Sequence, residues 1–96
     1  MTVALMWEAR AAEGRGAELL AWARAQRLAP APVRREVFAA PQDRVLVITW
    51  WEAEPDAELP GLPQPPGALT ARPVHRWRFE SLGVEQPSEP GVEPSA

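Results

Sequence analysis

Apolar and polar side chains alternate along four stretches of the chain, and this two-residue period predicts β-strands. Residues 2–10 are largely apolar in both alternating sets, which is typical of a strand covered on both faces. Residues 33–39 are strand-like, and residues 44–52 (RVLVITWWE) form the most strand-like stretch of the chain. Residues 73–82 predict a last strand with one apolar and one charged face.

A helix is predicted at residues 17–28, which are rich in alanine and leucine. One side of this helix carries Leu19, Trp22, Ala23 and Gln26. Acidic residues lie near its start and arginines near its end, an arrangement that complements the helix dipole. Pro30 and Pro32 prevent the helix from continuing.

A proline-rich segment, residues 53–72, separates the last two predicted strands. Its prolines leave room for one helical turn at most, near residues 55–59, and the remainder is predicted to be an extended loop. Within it, residues 60–66 would act as a lid, as a polyproline ligand for another protein, or as a simple tether between strands. Residues 83–96 have prolines and glutamates with little to bury, so we expect a disordered tail after a single domain at residues 1–82.

Residues 40–43 (APQD) have turn chemistry and predict a hairpin in which Ala39 faces Arg44. One sheet face then carries Val33, Val37, Leu46, Ile48 and Trp50. The other face carries Arg34, Glu36, Phe38, Val45, Val47, Thr49 and Trp51. We expect the first face to be the core beneath the helix and the second to line a pocket or meet a partner. A register slip of one residue would exchange the two sets.

The order strand, helix, strand, strand, loop, strand indicates an α+β protein. It corresponds to a ferredoxin-like half, βαββ(α)β, with a degraded second helix and a four-stranded antiparallel sheet. One helix cannot cover both sheet faces, and we expect Trp7, Trp51, Val45 and Val47 on the uncovered face. Leaving such side chains in water forfeits roughly 1.5–3 kcal/mol each, against a net stability of about 5–10 kcal/mol. We therefore predict a homodimer with a two-fold interface.

Composition excludes several kinds of site. The 96 residues include no cysteine and one histidine, which excludes disulfides, thiolate metal centres and sites that need two imidazoles from one chain. Thirteen acidic against ten basic residues give a net charge of −3, so no basic surplus suggests nucleic acid as a partner. No stretch approaches the roughly 20 apolar residues of a membrane span, and the N-terminus does not resemble a secretory signal. We expect a cytoplasmic protein with no membrane association and no metal.

Two stretches carry a resemblance to a known family. Residues 3–10 (VALMWEAR) lead to a glycine and a helix, and residues 45–52 (VLVITWWE) end the hairpin with Trp51 and an acidic residue. In this arrangement residues 2–82 resemble the antibiotic biosynthesis monooxygenase-like (ABM-like) domains of the dimeric α+β barrel superfamily. The resemblance implies a barrel formed from two chains, with a pocket between sheet and helices in each subunit.

The resemblance also implies a range of activities. Some members oxidise polyketide anthrones or quinols with dioxygen and no cofactor, and others degrade haem. The monooxygenases tend to have an asparagine four residues before the tryptophan of the third strand, where this chain has Val47. The haem degraders bind iron through a histidine of the second helix. Here prolines interrupt that helix, and the only histidine lies on the last predicted strand.

Five residues are candidates for a site that holds a small aromatic ligand. His75 is the side chain expected to titrate near neutral pH, so it is the candidate general base. Trp51, Trp7 and Trp77 would hold a planar ligand by stacking, and Arg34 would anchor a phenolate or carboxylate. Each also has a structural interpretation: a packed histidine, tryptophans of the core or dimer interface, and an arginine in a surface ion pair.

These candidates support two hypotheses and a third in reserve. The first is a cofactor-independent monooxygenase or tailoring enzyme that acts on an aromatic polyketide-like substrate, with His75 as the base. The alternative is a non-catalytic dimeric binding or accessory module, whose pocket is filled by its own side chains or holds a small apolar molecule. The missing asparagine and the degraded second helix favour the alternative. The reserve hypothesis is haem binding with His75 as axial ligand.

Overall fold

A computed structural model describes residues 1–87 of the chain. Its elements are strand β1 (Thr2–Arg10), helix α1 (Gly16–Ala25), strands β2 (Arg34–Ala40), β3 (Arg44–Glu52) and β4 (His75–Glu80), and a single 3₁₀ turn at Gly67–Leu69. The strands form one antiparallel sheet in the order β2–β3–β1–β4. The predicted α+β class, the four-stranded antiparallel sheet and the single covering helix are confirmed within the described residues.

The bounds of the elements lie close to those that the hydrophobic pattern predicts. β1 and β3 match the prediction, β2 is shifted by one residue, and β4 is shorter at both ends. The predicted tail is described only in part: residues 83–87 form neither helix nor strand, and residues 88–96 lie outside the described residues. Within residues 1–87, no helix has both the length and the apolar character needed to cross a bilayer.

Helix α1 ends three residues earlier than predicted because its C-terminus is capped by the sheet. Gln26 adopts an extended backbone (φ −72°, ψ 129°), and its amide donates to the Ala23 carbonyl at 3.2 Å. The guanidinium of Arg35, from β2, donates to the carbonyls of Ala23 and Gln26, each at 2.6 Å. A cation at this position satisfies carbonyls left free at the helix end and complements the helix dipole.

One face of the sheet packs against α1. Residues opposite each other in antiparallel strands share a face, so Trp7 lies beside its partner Val47, and Val3 beside Trp51. The buried cluster consists of Trp7, Ala9, Ala11, Leu19, Ala23, Val45, Val47, Leu62 and Leu69. The core therefore lies between this face, the helix and two leucines of the proline-rich loop.

The opposite face, which we call the open face, carries the second apolar set of the sheet. Its apolar residues are Ala4, Met6, Phe38, Leu46, Ile48, Trp50, Trp77 and Phe79. The expectation that Trp7, Trp51, Val45 and Val47 would be uncovered is wrong, because each of them is 5% exposed or less. A period of two separates the two faces of a strand but does not say which apolar face meets the helix.

The hairpin register also differs by one residue from the prediction. Ala40, not Ala39, pairs with Arg44, so the turn has three residues rather than four. Gln42 (φ 64°) and Asp43 (φ 54°) both take the left-handed conformation, which reverses the chain within this shorter turn. Phe38 therefore joins Leu46 on the open face.

The proline-rich loop connects β3 to β4 without an α-helix. Its only regular turns are a hydrogen-bonded turn from Glu54 to Ala57 (3.0 Å), near the predicted one, and the 3₁₀ turn at Gly67–Leu69. Leu62 and Leu69 are 3% and 7% exposed and complete the core beside Trp7. The loop is therefore a packed part of the core, and apolar burial rather than helix formation holds it on the sheet.

Candidate functional site

The open face is a grid of three rows that cross all four strands. Partners in the strand ladders define each row. The first row is Arg34, Trp50, Ala4 and Phe79; the second is Glu36, Ile48, Met6 and Trp77; the third is Phe38, Leu46, Glu8 and His75. The charged or titratable residues lie at two diagonally opposite corners, and apolar residues occupy the middle of the grid and its other two corners.

The apolar part of the grid is more exposed than a core would be. Trp77 and Phe79 remain 44% and 50% exposed, and the other apolar side chains are half-buried. A contiguous apolar patch with a polar rim is typical of a surface that meets another molecule.

A buried carboxylate lies at one corner of the open face. Glu8 of β1 is 6% exposed. It accepts a hydrogen bond from the guanidinium of Arg72, and Nη1 of Arg44 lies 3.5 Å from its Oε2. The Nδ1 atom of His75 lies 3.7 Å from Oε1. We call these four residues the Glu8 cluster.

Backbone contacts bring the members of the Glu8 cluster together from distant parts of the chain. The Ala71 amide donates to the Arg10 carbonyl at 2.9 Å, which holds the neighbouring Arg72 beside the end of β1. Arg44 also donates to the Pro41 carbonyl at 3.0 Å, so its side chain is tied to the hairpin turn. The sheet ladder itself places His75 directly opposite Glu8.

The charges of the cluster set the protonation of Glu8. Burial by itself would raise the pKa of this carboxyl. The hydrogen bond and positive charge of Arg72, with smaller contributions from His75 and Arg44, outweigh burial and hold the pKa of Glu8 below its ordinary value. Glu8 is therefore an anion at neutral pH, with the guanidinium groups of Arg72 and Arg44 beside it.

His75 lies between the Glu8 carboxylate and the ring of Trp77. Nδ1 of His75 lies 3.7 Å from the Glu8 carboxylate, which is within ion-pair range but too long for a hydrogen bond. The imidazole also meets the ring of Trp77 edge-on, with centroids 5.4 Å apart and planes at 78°. This corner therefore places an imidazole between a buried carboxylate and an exposed aromatic ring.

The opposite corner of the open face is formed by Arg34. Its guanidinium lies over the ring of Trp50 at 4.8 Å and pairs with the Glu36 carboxylate at 2.6 Å. The side chain of Arg34 is 66% exposed, so this pair contributes about 0–1 kcal/mol. Arg34 is thus in the surface ion pair that the sequence offered as its structural interpretation.

The five residues predicted for one ligand site fall into two groups. His75, Trp77 and Arg34 lie on the open face, whereas Trp7 and Trp51 lie on the helix-covered face. Trp51 is buried, and its Nε1 donates to the Thr49 hydroxyl at 2.9 Å. Because the two groups are on opposite faces of the sheet, they cannot line one cavity.

Sequence reasoning did not find the Glu8 cluster. Glu8 is an acidic residue between apolar neighbours in β1, and Arg44 and Arg72 are 36 and 64 positions away from it. The pairing of Glu8 with His75 follows only from the register between β1 and β4. Among residues 1–87, no group of three or more histidine and acidic side chains is placed to hold a metal ion.

The chain was compared with known proteins in three ways. No family model matches it, no curated protein is similar to it, and no solved structure matches its fold at a significant level.

Proposed function

We propose that the protein is a homodimeric, ABM-like accessory or binding module, in which two copies pack open face to open face. The observation that carries this proposal is the apolar centre of the open face, where Trp50, Ile48, Met6, Trp77 and Phe79 are neighbours in the grid. The strand order β4–β1–β3–β2 supports it, because it is the order of a ferredoxin-like half, and such halves assemble into dimeric α+β barrels.

The size of the open face fits a second copy. Four strands about 4.8 Å apart, with about 3.3 Å per residue, span roughly 19 Å by 20–30 Å for strands of six to nine residues. Side chains that project from this outline add to its accessible area. A stable interface occupies about 800 Å² per partner, so the face is of the right order for one two-fold contact.

A binding role without catalysis is favoured by how the helix-covered side is filled. The resemblance to ABM-like domains implies a pocket between the sheet and its helices. Here Trp7, Trp51, Leu62 and Leu69 occupy that side and are 3–7% exposed. Two of the tryptophans proposed as walls of a ligand site are thus committed to packing, which supports a module whose inner pocket is closed by its own side chains.

Sedimentation equilibrium tests the dimer directly. At micromolar concentration the protein should sediment at about twice the chain mass of 10.6 kDa. A mass of one chain under these conditions would contradict the proposal.

A second candidate function is cofactor-independent oxidation, and the neighbourhood of His75 favours it. Nε2 of His75 would take a proton from the activated C–H group of an anthrone. The resulting carbanion would add to dioxygen, and the peroxide anion would take the proton back from the imidazolium. Loss of the second C–H proton of the same carbon, as the O–O bond breaks, would leave the new carbonyl and release the other oxygen atom as water. Glu8, 3.7 Å from Nδ1, would stabilise the protonated imidazole, and Trp77 would lie beside the ring system.

Oxygen consumption with an anthrone separates the two functions. The oxygenase proposal requires consumption well above the rate without protein, and H75A should remove most of the excess. Arg24, an exposed residue of α1, provides the control R24A, which should keep wild-type activity. Absence of any excess would leave the binding module as the proposed function.

A further inference from the structure

The proline-rich loop leaves part of the sheet uncovered. Prolines at positions 60, 63, 65 and 66 prevent a helix there, so the segment crosses the sheet as an extended and therefore narrow chain. Leu62 and Leu69 cover the neighbourhood of Trp7, whereas the inner side of β4 has no such apolar cover and all six residues of β4 are exposed.

A groove of about 340 Å³ lies between the loop and β4. Leu59 and Gly61 form its loop side, and the sheet contributes Leu5, Met6, Arg76, Trp77 and Arg78. The ladder pairs Leu5 with Arg78, and Arg76 lies two residues away, so these three side chains share the helix-covered face of the sheet. The arginines of the groove therefore lie on the other face from the proposed dimer contact, whereas the side chains of Met6 and Trp77, at the base of the groove, belong to the open face.

The charged residues that line the groove are all positive. Arg76 and Arg78 carry two positive charges, and no acidic residue is among the residues that line the groove. Arg78 donates to the Ala57 carbonyl at 2.8 Å, which ties the loop to β4. Arg76 makes no ion pair with a described residue, and its Nη1 would lie 3.3 Å from a Cβ at position 61. The guanidinium of Arg76 thus lies close to Gly61 of the loop, and it can pair with an anionic ligand.

We propose that this groove binds a small carboxylate with a flat or aliphatic apolar body. Arg76 donates to the carboxylate, which matches the planar geometry of a guanidinium. The apolar body lies between Leu5 and Leu59. A groove of this volume is at the lower end of the range for small-molecule sites, which limits the ligand to about the size of a two-ring aromatic acid.

This inference gives the proposed binding role a ligand class and a position, and in that sense it rests on the proposed function. It does not rest on the dimer, because every lining residue belongs to one chain. If the protein is a monomer that binds the acid, the proposed dimer is wrong and the proposed groove site stands. If it is a dimer that does not bind the acid, the groove site is wrong and the dimer stands.

Calorimetric titration with 2-naphthoate, at low ionic strength, tests the proposal. We expect saturable binding of one acid per chain. The neutral analogue 2-naphthalenemethanol should bind at least about tenfold more weakly. R76Q should weaken 2-naphthoate binding about tenfold, because it removes the charge and keeps a side chain of similar length. R24Q removes an equal charge from an exposed position of α1 and should bind as wild type.

The location of the ligand is checked on the unmodified chain, so the test does not depend on a variant that folds. In ¹⁵N-labelled wild-type protein, amide shifts on titration should centre on Leu59, Gly61 and β4. Any of the following results would overturn the proposal: no saturable binding up to about 5 mM, equal affinity for acid and alcohol, equal weakening by R76Q and R24Q, or shifts centred on β2 and β3. Full affinity in a correctly folded R76Q would also overturn it.

Discussion

The indole of Trp7 stacks on the indole of Trp22, with ring centroids 6.0 Å apart and planes inclined by 27°. This contact joins the first strand to the only helix among the described residues, and it fills the centre of the core. Trp7 is 3% exposed, and its Nε1 has no hydrogen-bond partner in the described structure. The role of Trp7 is thus packing, and its polar atom adds nothing to the stability of the fold.

Substitution of Trp7 tests this role. W7A should lower the free energy of unfolding by about 3–5 kcal/mol, because it leaves a large cavity between sheet and helix. W7F should cost about 1 kcal/mol or less, since the smaller ring loses contacts but removes a buried donor without a partner. Urea unfolding measures both. An equal loss in the two variants would mean that the indole N–H, rather than ring packing, stabilises the core.

Loss of the Glu8 charge should destabilise the fold at neutral pH. E8Q keeps the shape of the side chain but leaves Arg72 and Arg44 without their anion, and we expect a loss of about 1–3 kcal/mol. The pKa of Glu8 is lowered in the folded state, so its stabilising contribution is complete above the ordinary value of 4.5 and is lost as pH falls through the lowered folded pKa. The difference between wild type and E8Q should therefore shrink at about pH 3.

Thermal unfolding of wild type and E8Q at pH 7 and pH 3 checks this sign. Glu18 offers a matched control, because it pairs with Arg15 at 2.8 Å on the exposed surface of α1. E18Q should leave the unfolding midpoint nearly unchanged at both pH values. A difference between wild type and E8Q that grows on acidification would contradict the assignment of Glu8 as the stabilising anion.

A charge in the middle of the open face should separate the proposed dimer. Ile48 lies between Glu36 and Met6 in the second row of the grid. I48E would bury a carboxylate without a partner in the dimer, whereas the half-buried position in a single chain lets the group reach water. Light scattering should give about half the wild-type mass, with the far-ultraviolet circular dichroism retained.

Ala21, on the exposed side of α1, provides the control for this experiment. A21E adds the same charge away from the open face and should keep the wild-type mass. If I48E and wild type have equal mass, whether one chain or two, the open face is not the dimer interface.

The packing of the proline-rich loop can be measured at Leu62. L62A should lower the free energy of unfolding by about 2–4 kcal/mol, because Leu62 is 3% exposed and belongs to the buried cluster with Trp7. Gln64 lies two residues further along the same loop and is exposed, so Q64A should have little effect. Denaturant unfolding of the two variants distinguishes a loop that completes the core from one that only connects two strands.

Local patterns were sufficient to predict most of the secondary structure. The alternating apolar residues of β1 and β3 predict their bounds, because side chains of a strand alternate between its two faces. The prolines of residues 53–72 predict the absence of a second helix, because each removes a backbone donor and restricts the chain. The turn between β2 and β3 was predicted one residue too long, since its length depends on the left-handed conformation of Gln42 and Asp43.

The sequence predicted some residues of the candidate site but not their arrangement. His75 and Trp77 were predicted for the same site, and the ladder places both on the open face. Trp7 and Trp51 were assigned to the same site, but they lie on the other face of the sheet. The partners of Glu8 belong to segments that are far apart in the chain, so no local sequence pattern predicts these contacts.

The amino-acid sequence by itself determined where the strands and helix form, that both sheet faces are apolar, and that one helix is too little to cover them. These properties depend on residue type and spacing along the chain. Tertiary structure alone decided which face α1 covers, which side chains meet across the ladders, and how the loop leaves Arg76 beside a groove. Those outcomes depend on register and on packing between distant segments, where a shift of one residue moves a side chain to the other side of the sheet.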